Sequence, residues 1–128
     1  MDLTWYNTLN KPFLTPPPDL FAPAWTILYT LIFLALVLFL TAKTDFDKTL
    51  GLTLFLTQLI LNLLWSPAFF YWHNLQLSLL IIILLIISII ATIISFYKIS
   101  NIASYLLIPY LLWVCFAAYL NFGFMIMN

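Results

Sequence analysis

Between Lys48 and Lys98 the chain carries no charged side chain, and it carries none after Lys98. A second uncharged stretch separates Asp19 from Lys43. Only 6% of the 128 residues are charged, and 66% are hydrophobic. A soluble domain uses about 25% charged residues to keep its surface wet. Folded in water, this chain would expose an apolar patch far beyond what soluble monomers tolerate. Hydrocarbon solvent removes that conflict, so the chain is read as an all-α integral membrane bundle.

The charges that exist punctuate the chain. They are Asp2, Lys11, Asp19, Lys43, Asp45, Asp47, Lys48 and Lys98. Four spanning helices are expected between and beyond them, at about 23–42, 49–72, 77–97 and 102–127, within one membrane domain covering 1–128. The first spans about 20 residues, or ~30 Å, one bilayer core. Pro23 suits a first turn, where its missing N–H costs nothing. Pro67 leaves the Leu63 carbonyl without its helical donor, so the second helix must bend there or tilt. Residues 1–22 form a leading segment rather than a helix, because Pro12, Pro16, Pro17, Pro18 and Pro23 remove donors and favour extended backbone. That segment also carries Trp5, Tyr6, Leu9, Phe13, Leu14, Leu20 and Phe21. It therefore lies at the interface or folds over the mouth of the bundle. Loops 43–48 and 98–101 share one side of the membrane and hold three lysines against one, Lys11, on the other. The positive-inside rule places both loops in the cytoplasm.

Several function classes fall away. Zero formal net charge and no basic cluster exclude nucleic acid as a partner. No carboxylate lies within a span, so a proton-coupled antiporter lacks a relay. His73 stands alone near a helix end and reads as a solvated turn residue, so no metal site is expected. No Ser/His/Asp set converges. Two glycines, Gly51 and Gly123, cannot build a phosphate-cradling loop. Cys115 has no partner for a disulfide and reads as a small core residue.

Polar side chains on spanning helices should face protein or a cavity. Gln58, Asn62, Trp65 and Phe69 share one helical face, with Ser66 beside it. Tyr110, Trp113, Ala117 and Asn121 share another. Trp25 and Tyr29 lie four residues apart on the first helix. Ser88, Thr92 and Ser95 line one side of the third. Turned inward together, these faces would make an aromatic pocket for a large, flat, mostly apolar ligand. Asn and Gln also serve as interhelical glue worth about 1 kcal/mol, and pattern alone favours packing. Tyr71, Trp72 and Tyr97 read as interface anchors.

The motifs, in order, are Trp5-Tyr6-x-x-Leu9-x-Lys11-Pro12 with Thr15-Pro16-Pro17, then Phe21-x-Pro23-x-Trp25-x-x-Leu28-Tyr29. Next come Gln58-Leu59-x-Leu61-Asn62-x-x-Trp65-Ser66-x-x-Phe69-Phe70 and Pro109-Tyr110-Leu111-x-Trp113-x-x-Phe116-Ala117-x-x-Leu120-Asn121. Four such motifs at this spacing resemble the TspO family, also called translocator protein or tryptophan-rich sensory protein, over nearly the whole chain. The resemblance implies a membrane protein that binds porphyrin or tetrapyrrole ligands, with a sensing, regulatory or transport role. It also implies a homodimer in the lipid bilayer. The porphyrin is a ligand, and no prosthetic group is expected. Family pocket positions match at Trp25, Asn62, Ser66, Trp113 and Ala117. Trp5 matches a tryptophan linked to porphyrin chemistry. The candidate ligand-binding set is thus Trp5, Trp25, Tyr29, Asn62, Trp65, Ser66, Tyr110, Trp113, Ala117 and Asn121, and the resemblance tips these faces from packing toward a pocket.

Two departures qualify the resemblance. Family members have five helices, the first preceding the Trp-Tyr pair, whereas Met1 here lies four residues before Trp5, so four are expected. The C-terminal end lacks a Tyr followed by Lys or Arg, so cholesterol binding is not expected. Other readings stay open: light- or oxygen-dependent porphyrin breakdown using Trp5 and Trp113, a small transporter subunit, or an inactive truncated form. Lys11 is the nearest candidate cation for porphyrin propionates.

Overall fold

The computed structural model describes residues 4–128; Met1, Asp2 and Leu3 of the leading segment lie outside the described residues. The described residues form helices and no strand. A single turn, α1 (Thr4–Asn7), precedes a 3-10 turn at Pro18–Leu20 and the first long helix, α2 (Phe21–Thr41). The leading segment is therefore not free of helix, as its prolines suggested. Its one α-helical turn sits upstream of Pro12, where the prolines impose nothing. The spans continue with α3 (Thr49–Ser66), extended by a π turn at Pro67–Tyr71, and α4 (Leu75–Tyr97). The last comprises α5 (Asn101–Leu106) and α6 (Ile108–Met127). Four of these helical stretches are long and apolar enough to cross a membrane: Phe21–Thr41, Thr49–Tyr71, Leu75–Tyr97 and Asn101–Met127.

Local chemistry explains the boundaries. Asn74 caps α4, its side-chain oxygen accepting the Leu77 N–H at 2.9 Å, which satisfies one orphan donor of the first turn. Ser100 caps α5 through the Ala103 N–H. Lys48 donates its Nζ to the Leu40 and Ala42 carbonyls, both at 2.8 Å, and so closes the end of α2. From Pro67 the hydrogen-bond ladder changes register: the Trp72 N–H donates to the Pro67 carbonyl at 2.9 Å, a π register. Pro109 breaks the last span, since it has no N–H to offer the Tyr105 carbonyl. The Leu107 N–H accordingly tightens onto the Ser104 carbonyl at 3.2 Å.

Helix α4 is the spine of the bundle, packing on α3, α5 and α6, while α2 packs chiefly on α5. One core runs along this spine. At one end Phe39 stacks on Phe96, with centroids 4.0 Å apart, and Phe55 joins the stack. Gly51 makes that packing feasible, because an added Cβ would stand 2.6 Å from the Phe39 ring. Ser88, Thr92 and Ser95 do not face a pocket. Ser88 and Thr92 donate to the Leu84 and Ser88 carbonyls of their own helix. The Ser95 hydroxyl lies beside Gly51, at the α3–α4 seam. Cys115 is exposed, not core. It points away from the α6 face that carries Tyr110, Val114 and Ala117.

A second core lies at the other end, where Tyr6, Phe69, Phe70, Leu120 and Phe124 pack together. There the leading segment straps across α6. Pro12 is seated on Gly123, the Tyr119 hydroxyl donates to the Phe13 carbonyl at 2.6 Å, and Asn10 and Asn128 exchange hydrogen bonds at 3.0 Å.

Candidate functional site

Between the strap, α2, α3 and α6 lies a cavity of about 450 Å³, within the usual range of small-molecule sites. Each element contributes on a helical period. From α2 come Trp25 and Tyr29, from α3 Asn62, Trp65 and Ser66, and from α6 Trp113, Ala117 and Asn121. Eight of the ten sequence-derived candidates therefore share one cavity wall. Among the described residues no Asp, Glu, Lys, Arg or His lines it.

The other two candidates sit elsewhere. Tyr110 is wholly buried behind the wall. Trp5 lies outside the lining, its ring stacked on His73 with centroids 4.3 Å apart and planes 9° apart. His73 is indeed an exposed turn residue, with φ at 52°. Lys11 also lies outside the lining, its Nζ 5.1 Å above the Tyr6 ring.

Tyr6, Phe21, Ala22, Phe69, Phe70, Phe116, Leu120 and Phe124 complete the wall but were not among the candidates. Phe116, Leu120 and Phe124 follow Trp113 at helical spacing, so a wider stripe on α6 would have included them. Phe70 follows Ser66 by four residues and stands in the third motif; in the π turn both Phe69 and Phe70 face inward, and they are 2% and 9% exposed.

Around Trp113 two of the aromatic contacts are edge-on. Trp25 lies 6.4 Å from Trp113 at 90°, and Phe21 approaches Trp113 at 6.2 Å and 71°. These edge-on contacts leave ring faces turned to the space between. The Trp65 indole donates to Asn121 Oδ1 at 2.9 Å, and Asn121 Nδ2 donates to the Leu75 carbonyl at 3.0 Å.

Deeper in, Tyr29 donates its hydroxyl to Asn62 Oδ1. Asn62 Nδ2 donates to the Tyr110 hydroxyl at 2.9 Å, and Tyr110 donates to Gln58 Oε1 at 2.7 Å. Three buried polar atoms have no partner among the described residues: the Tyr6 hydroxyl, Trp113 Nε1 and Gln58 Nε2. Burial holds the Tyr6 phenol above its ordinary pKa, so it stays a donor. An orphaned buried donor costs about 1–3 kcal/mol, and both Tyr6 and Trp113 line the cavity. A flat apolar occupant that brings acceptor groups would offset that cost.

Comparison with known proteins bears on this arrangement. The family model described as TspO/MBR family matches residues 1–127. The chain is 47% identical over 127 residues to a "Tryptophan-rich protein TspO" of Archaeoglobus fulgidus, covering 98% of this chain and 80% of that protein. It is 36% identical over 121 residues to "Protein CrtK" of Rhodobacter capsulatus, covering 93% and 75%. It is 33% identical over 122 residues to the "Translocator protein" of Homo sapiens, covering 94% and 72%.

Proposed function

This chain belongs to the TspO/MBR family, and we propose that its aromatic cavity binds a porphyrin- or tetrapyrrole-type ligand in a sensing, regulatory or transport role. Its four spanning helices and its family make it a multi-pass integral membrane protein. The observation that carries the reading is the convergence of Trp25, Tyr29, Trp65 and Trp113 on one cavity that also contains orphaned donors. A macrocycle would lie against the indole faces, gaining about 1–3 kcal/mol per stacked ring by analogy with base stacking on aromatic side chains.

With no Lys, Arg or His on the wall among the described residues, propionates would find no partner cation from those residues inside the cavity. They would project past Tyr6 toward Lys11, whose Nζ lies 5.1 Å from the centre of that ring. The lysine distribution supports a cytoplasmic position for loops 43–48 and 98–101. Porphyrin breakdown has weaker support, because Trp5 stands off the wall on His73 and leaves only Trp113 in reach of an occupant.

The test is a titration of the purified protein with protoporphyrin IX, following intrinsic tryptophan fluorescence corrected for inner-filter absorption. Saturable quenching lost in the Trp25→Phe/Trp113→Phe double variant supports the reading. Linear quenching alone, or saturation unchanged in the double variant, rejects it.

A further inference from the structure

We propose that Gln58, which touches no part of the cavity, sets the hydrogen-bonding polarity that the cavity shows its ligand, and that it selects a ligand with an N–H or O–H donor facing Tyr29. This rests on reading the cavity as a binding pocket, though not on which ligand fills it.

The chain Tyr29–Asn62–Tyr110–Gln58 is directional. Tyr29 donates to Asn62, Asn62 to Tyr110, and Tyr110 to Gln58 Oε1. Each donor thus points inward, away from the cavity. Tyr29 spends its one proton on Asn62, so toward the cavity its oxygen offers only lone pairs. Only Tyr29 and Asn62 of the four line the cavity. Tyr110 is 0% and Gln58 1% exposed.

A hydroxyl can donate or accept, and an amide can turn, so the same four groups could run the other way. Then Gln58 Nε2 would donate to Tyr110, Tyr110 to Asn62 Oδ1 and Asn62 Nδ2 to Tyr29. Tyr29 would present a free O–H. Reversal satisfies the orphaned Gln58 Nε2 but strips Gln58 Oε1 of its only donor. It also leaves the Tyr29 proton facing an apolar space. Either direction makes three hydrogen bonds; the inward one leaves the Gln58 amide donor unpaired, the outward one leaves Gln58 Oε1 and the Tyr29 proton unpaired, and the structure holds the inward direction. Gln58 is the end of the chain that decides this, because its carbonyl is the acceptor that fixes the Tyr110 proton.

The prediction separates Gln58 from a residue that merely packs. In Gln58→Met the Tyr110 hydroxyl loses its acceptor and turns to Asn62, and the chain reverses. In Gln58→Glu a carbonyl oxygen remains, and the direction is kept.

The experiment is ultraviolet resonance Raman of the protein in lipid nanodiscs. The Tyr29 contribution is isolated as the difference from Tyr29→Phe, and the intensity ratio of its Fermi doublet distinguishes a donating from an accepting phenol. The expected result is a donor-type Tyr29 in the wild type and in Gln58→Glu, and an acceptor-type Tyr29 in Gln58→Met. An acceptor-type Tyr29 in the wild type overturns the proposal, as does a Tyr29 signal indifferent to Gln58→Met.

A second measurement needs no core substitution. Carbazole and N-methylcarbazole are flat probes that differ in one N–H. Wild type should bind carbazole about 3- to 10-fold more tightly, and Tyr29→Phe should lose that preference. Equal binding by the wild type overturns the proposal even if Gln58→Met does not fold. If protoporphyrin IX fails to saturate while the donor-type spectrum stands, the ligand reading fails and the polarity does not.

Discussion

The indole of Trp65 donates to Asn121 Oδ1 across 2.9 Å, tying α3 to α6 at the cavity wall. Asn121 passes the link to α4 through the Leu75 carbonyl. Three spans are therefore joined by one buried amide. Asn121→Leu should leave the Trp65 N–H and the Leu75 carbonyl unpaired and destabilise the bundle by about 1–2 kcal/mol. Unfolding in SDS from mixed micelles measures this. A variant as stable as the wild type would mean that the amide joins nothing of consequence.

The seat of the strap can be tested separately. Gly123→Ala would place a methyl carbon 2.6 Å from Pro12 Cβ and 2.8 Å from its Cγ, so the strap should lift from α6. Faster hydrogen exchange across residues 8–15 is the expected readout. Pro12→Gly in the same background deletes both clashing carbons and should restore protection. Unchanged exchange in Gly123→Ala would show that the strap accommodates the methyl.

The far end of the bundle gives a control for the cavity. Gly51→Ala drives a methyl to 2.6 Å from the buried, stacked ring of Phe39, an overpacking that should cost about 1–3 kcal/mol. Gly51 lies eleven positions before Asn62, about 16 Å along α3, so porphyrin affinity should be kept while stability falls. Loss of both together would tie the two ends of the bundle.

At the start of α3, Asp47 Oδ1 accepts from the Thr49 hydroxyl at 2.7 Å and the Thr49 N–H at 2.9 Å. The side-chain bond first, and the backbone bond second, hold the Asp47 carboxyl below the usual carboxylate range. Folding thus favours the ionised form. The contribution is fully present above the unfolded value, about pH 3.9, and is lost as the pH falls through the lowered folded value. The Thr49 amide resonance should titrate with its inflection below that of an unperturbed Asp, and Asp47→Asn should abolish the inflection. An inflection at the ordinary value would mean that the bonds do not persist in solution.

Much of this protein was determined by its sequence alone. The uncharged runs leave hydrocarbon as the one solvent that suits the helices, and that fixes a membrane bundle without knowledge of any contact. Helical spacing on α2, α3 and α6 also picked out Trp25, Tyr29, Asn62, Trp65, Trp113, Ala117 and Asn121, because a polar or aromatic stripe in lipid must turn toward protein. Tertiary structure decided the rest. Spacing cannot say which inward face meets a cavity and which meets another helix, so Ser88 and Thr92 bond to their own helix, Ser95 went to the α3–α4 seam and Tyr110 behind the wall. Cys115 could be placed only once the rotation of α6 was known. Phe69 and Phe70 both turn inward in the π turn that follows Ser66, a local change of register that the helical period does not describe. The strap closed over the cavity because Gly123 leaves room for Pro12, a contact between residues at opposite ends of the chain that no local pattern encodes.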